Sequence, residues 1–160
     1  MTSSDEGSRN LLQLQDFLPY RLSVVSNQVS NLIADLYQDR FGLSIWQWRV
    51  IAMLGSNGSR TAQQIAAQAA MDKMTVSRSV SALLKRDLIN RAPSQTDRRS
   101  HILRLTATGQ KIHDEIAPLA RKQEQVLLSG MSQRETKQLF SLLERLEQTA
   151  VKAHADKSTF

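Results

Sequence analysis

The chain has 160 residues, no cysteine, 41% hydrophobic residues, a formal net charge of +6 and a pI near 10.1. That length and composition suit an ordered, helix-rich domain with accessory helices and exclude a disordered chain. The missing cysteines exclude disulfides, thiolate metal sites and thiol redox sensing, while the basic balance favours polyanionic partners.

Residues 1–10, MTSSDEGSRN, carry acids and no apolar core. They read as a disordered tail rather than a signal peptide, and no later run reaches membrane-spanning length, so the expected location is the cytoplasm. Leu18, Leu22, Val25, Val29, Ile33 and Leu36 recur at spacings of three and four, which predicts one long helix from Leu18 to Tyr37. Between Leu22 and Ala34 this helix has no charged residue. A solvated face is normally charged, so a partner subunit or a pocket is expected to cover it; a merely polar surface helix is the alternative. Gly42 is the natural C-cap.

Ser44 and Gln47 form a capping-box pattern that starts a second helix to about Leu54. Its apolar residues lie nearly all round it, so it should be central. A turn over 55–59 follows, and Thr61 with Gln64 opens a short Ala-rich helix to about Gln68. Asp72 then caps an amphipathic helix in which Val76, Val80, Leu83 and Leu84 make one buried stripe. Met74, Arg78, Ser81 and Lys85 occupy its opposite face, with Lys73, Thr75 and Ser77 at the entry end. Small side chains there let the backbone approach a partner closely, and a major groove about 12 Å wide takes such a helix.

Ile89–Ala92 and Ser100–Leu105 read as two strands around a polar tip, 93–99, that ends in two arginines. Between Met71 and Arg104 there are eight basic residues (Lys73, Arg78, Lys85, Arg86, Arg91, Arg98, Arg99, Arg104) against Asp72, Asp87 and Asp97. That segment therefore holds five of the chain's six net positive charges, a concentration typical of nucleic-acid binding. A helix starting at Leu105–Gly109 carries Ile112, Ile116, Leu119, Val126 and Leu127, with Pro118 as a possible bend. Ser132 and Glu135 cap a last helix bearing Leu139, Leu142, Leu143, Leu146 and Ala150. His101, His113 and His154 do not cluster; His113, Asp114 and Glu115 read as an exposed face. No metal, cofactor or catalytic set is expected, so the chain is not read as an enzyme.

Helix, tight turn, basic helix and hairpin make a winged helix-turn-helix. The fold class is mainly α with a small β-hairpin wing, flanked by N- and C-terminal dimerisation helices. In this order Leu43–Val50, Met71–Arg78, Asp97-Arg98-Arg99 and Leu105–Gly109 resemble the MarR family of bacterial transcriptional regulators. Asp87 departs from the pattern, standing where the family usually has glycine; Asp tolerates left-handed backbone better than most residues. The resemblance implies a homodimer, with dimerisation regions at 11–42 and 106–160 and DNA-binding lobes at 43–105. It also implies a palindromic operator and release by a small, often aromatic acid.

The expected DNA-binding residues are Lys73, Thr75, Ser77, Arg78, Asp97, Arg98 and Arg99. Arg78 is the candidate for guanine readout, since its fork matches the O6/N7 edge. By resemblance Arg99 enters the minor groove with Asp97 orienting the tip. For the effector, Trp46, Arg49 and Met53 share one helical face, where a cation on an aromatic ring can receive a carboxylate; an internal ion pair is the alternative for Arg49. Tyr20, Arg21, Ser23 and Asn27 form a polar line that could hold a phenolic acid or a larger acyl conjugate, or else pack in a dimer. The reading is a ligand-responsive repressor; a non-specific nucleoid-coating protein and a helical protein-interaction module are the rivals.

Overall fold

The computed structural model describes residues 12–69, 71–93 and 101–157. The tail over 1–10 and the hairpin tip, including Asp97, Arg98 and Arg99, lie outside the described residues. The chain divides into two compact units between Ala117 and Pro118.

In the first unit α1 (Leu18–Ala34) opens with proline in its first turn, where the missing N–H costs nothing. The single helix expected to reach Tyr37 stops short. A turn at Asp35–Tyr37 intervenes, and a four-residue α2 (Gln38–Phe41) ends at Gly42 in left-handed backbone, φ 59°. The break has a packing reason: it delivers Tyr37, 1% exposed, into the core beside Trp48, ring centroids 5.5 Å apart.

Helix α3 (Ile45–Asn57) starts from the expected Ser44–Gln47 capping box and runs three residues past Leu54. Thr61 and Gln64 form the second capping box, opening α4 (Ala62–Gln68). Helix α5 (Lys73–Lys85) starts at Asp72, which accepts the Thr75 amide at 2.8 Å. Val76 and Leu83 are buried and Val80 and Leu84 half-buried, so the apolar stripe faces the core as the spacing predicts.

Two strands follow, β2 (Ile89–Pro93) and β3 (His101–Leu105), and the sequence did not reveal a third. It is β1 (Arg60–Thr61), between α3 and α4, which pairs antiparallel with β3 through Arg60↔Leu103 and Thr61↔Ile102. It is too short for alternation to show. Leu103, 2% exposed, anchors the sheet to the core, where Val50, Ile51, Ile65, Ile89 and Ile116 meet it. Each such burial contributes about 1.5–3 kcal/mol.

Helix α6 (Ala107–Leu128) begins in the first unit and runs through Pro118 into the second. The second unit holds its remaining turns and α7 (Gln133–Lys157), which starts from the Ser132–Glu135 capping box. Phe140, Leu142, Leu143 and Val151 are exposed on α7. No helix among the described residues is long and apolar enough to cross a membrane.

Candidate nucleic-acid interface

Helix α5 is held from both ends. At its start, the Asp72 carboxylate accepts the Thr75 amide and the Thr75 hydroxyl. These bonds, the hydroxyl's first, hold the Asp72 carboxyl below its ordinary 3.8. The Thr75 side chain is thus engaged in the cap rather than offered outward. At its end, Arg86 donates to the Phe41 carbonyl at 2.6 Å and the Gly42 carbonyl at 2.9 Å. Arg86 therefore ties the helix to the turn before α3, and its guanidinium is held there by neutral carbonyls rather than by an acid. Asp87 next to it has φ 53°, the left-handed conformation its place in the pattern requires.

The turn after α5 explains the Leu105–Gly109 motif. Thr106 donates its hydroxyl to the Asp87 carbonyl at 2.7 Å and accepts the Gly109 amide at 3.1 Å, capping α6. A Cβ on Gly109 would stand 1.9 Å from the Leu88 carbonyl oxygen, so only glycine lets α6 lie this close.

The exposed face of α5 carries Lys73, Met74, Ser77, Arg78, Ser81 and Lys85. Arg78 rests against the Met74 sulfur at 3.4 Å, within its own helix, and among the described residues no acid pairs with it. A groove runs along each flank. One, of about 530 Å³, is walled by α4 and the hairpin base, with Lys73, Ser77, Arg91 and His101 on its lining. The other, of about 390 Å³, lies against the start of α3 and is lined by Ser44, Trp46 and Gln47 opposite Thr75, Arg78, Ser79 and Ala82.

Among the effector candidates, Arg49 lies over the Trp46 ring, 5.0 Å from its centroid. Met53 packs against the core. Tyr20, Arg21, Ser23 and Asn27 are exposed along α1. Tyr37, which the sequence did not single out, is the buried phenol: burial pushes it up to about 12 against the opposing pull of the Arg49 charge.

His113 corrects a reading. Its side chain is 12% exposed, not on an open face; it stacks on Trp48 at 6.1 Å and occupies the space a Gly55 side chain would need. Asp114 stays exposed, and hydrogen bonds from His113 and then Gln110 lower its carboxyl. Glu115 pairs with Arg40, whose guanidinium lies over Phe41. Among the described residues no group of three acids or histidines sits where a metal ion would need them.

The MarR family profile matches residues 41–100, from the end of α2 through the hairpin tip. The HTH-type transcriptional regulator BilQ of Clostridium symbiosum is 31% identical over 108 residues, covering 68% of this chain and 75% of that protein. The chain belongs to the MarR family. The HTH-type transcriptional repressor IacR of Pseudomonas putida is 25% identical over 130 residues, 81% of this chain and 77% of that one. A crystal structure of a MarR/EmrR family transcriptional regulator from Acinetobacter sp. ADP1 superposes with a TM-score of 0.78 at 27% identity, over 84% of this chain and 94% of the other. A MarR regulator is a transcription factor, not an enzyme, and its winged helix-turn-helix is the unit described above.

Proposed function

We propose that this MarR regulator is a cytoplasmic homodimeric repressor that holds a palindromic operator with α5 of each copy in successive major grooves. The observation that carries the reading is the exposed Lys73–Ser77–Arg78–Lys85 face of α5, whose cations make no ion pair with an acid among the described residues. Lys73, Thr75, Ser77 and Arg78 lie on its first two turns, where base edges and phosphates are met. Asp97, Arg98 and Arg99 at the hairpin tip would reach the flanking minor groove. The name of IacR supports the repressor sense.

Dimerisation through 11–42 and 106–160 is supported by the apolar side chains α1 leaves uncovered: Leu18 is 50% exposed and Val25 47%. The effector proposed is a small aromatic carboxylate or its thioester, with Arg49 as the carboxylate partner and Tyr20, Arg21, Ser23, Asn27 and Met53 around it. Release is a population shift. The effector favours a separation of the two lobes other than the one DNA selects, and about 5.5 kcal/mol of differential affinity nearly inverts occupancy.

The test is fluorescence anisotropy on a palindromic duplex with half-sites about one helical turn apart, against scrambled duplex. Arg78→Ala should cost about 1–3 kcal/mol on the palindrome and blur the preference for it. Equal losses on both duplexes would remove base readout and favour a non-specific coating protein.

A further inference from the structure

The two grooves beside α5 lie on opposite flanks of one helix. Val76, Val80 and Leu84 face one of them; Thr75, Ser79 and Ala82 face the other. A helix lying in a major groove has one sugar–phosphate strand along each flank. The flank on the α3 side is thus placed to meet a strand, and its outer wall is Trp46 with Gln47. Trp46 is 43% exposed, large for an indole on a helix whose other apolar residues mostly pack inward. Of the side chains lining this groove, Arg78 is charged and none is acidic. Arg49 lies over the Trp46 ring. That stacking restrains the indole in place and adds a second cation behind it.

Sequence spacing alone grouped Trp46 with the effector residues. Its position opposite Thr75 and Arg78 gives it a different occupant. We infer that Trp46 is a DNA-contacting residue: a rigid aromatic wall, backed by Arg49, that packs against the sugar–phosphate strand running past the start of α3. The inference rests on the operator-binding reading above. It deepens that reading by assigning one strand to the α3 flank, outside both the recognition helix and the wing. Such a contact fixes register and orientation without reading sequence.

The chain has two tryptophans, so Trp48→Phe leaves Trp46 as the only indole. In that variant acrylamide quenching of the emission should fall once saturating palindromic duplex is bound. In the otherwise native chain, Trp46→Ala should weaken binding about threefold to tenfold, the worth of one net polar contact. The loss should be alike on palindromic and scrambled duplex, and Trp46→Phe should recover part of it. Unchanged quenching in a complex that anisotropy shows to be formed would overturn the assignment. So would Trp46→Ala binding duplex like the native chain. If the native chain binds no duplex, the operator reading itself fails and this contact with it.

Discussion

Single positions decide whether helix α5 and the hairpin after it can be joined at all. Asp87 sits in left-handed backbone because the chain must turn sharply between α5 and β2. Thr106 donates to the carbonyl of that same residue, and Gly109 lies under the next one. The sequence showed these residues as a motif, Leu105–Gly109, without saying what the glycine was for. The reason is a carbonyl oxygen 1.9 Å from where a methyl group would go, supplied by a residue 21 positions earlier. Gly109→Ala should therefore destabilise by about 3 kcal/mol. That corresponds to a Tm roughly 6–12 °C lower in a thermal melt. A Tm within a degree of the native value would show that α6 shifts freely and that the close approach does not matter. Arg86 and His113 were illegible for the same kind of reason. Each is held by partners distant in sequence: Arg86, still exposed, by the Phe41–Gly42 turn, and His113, largely covered, by Trp48 and the space beside Gly55.

The elements were legible where local chemistry sets them. All three capping boxes and the Asp72 cap formed as the residue types require, because a cap needs only residues three apart. Strand β1 and the break after α1 did not announce themselves, since pairing with β3 and burial of Tyr37 are tertiary events. The caps make a prediction about acid. The Asp72 carboxyl is held below its ordinary 3.8 in the folded chain, chiefly by the Thr75 hydroxyl, so its contribution is present above that value. It is lost as pH falls through the lower folded-state value. Asp72→Ala should thus lower Tm at neutral pH, and the gap to the native chain should close as pH drops below 3.8. Asp114 and Glu135 shift in the same direction, so both proteins lose stability in acid and the difference between them isolates the cap. A gap that stays constant down the titration would mean that the charge of Asp72 plays no part in starting α5.

At the scale of the whole molecule, the sequence carries the family through four short stretches, and the fold sets the three that lie among the described residues, Leu43–Val50, Met71–Arg78 and Leu105–Gly109, in or beside one helix. What no single chain contains is the second copy. The uncovered apolar side chains of α1 and α7 are where the uncharged run of α1 and the leucine spacing of α7 lead. The account as a whole depends on charge meeting charge: a concentrated positive surface, presented twice, facing a phosphate backbone. Its most direct test is the affinity for a palindromic duplex measured by anisotropy as salt rises from about 50 to about 200 mM. Counterion release predicts a straight fall of log affinity against log salt, by about a thousandfold if some six phosphates are neutralised per dimer. An affinity that stays level across that range would contradict the account.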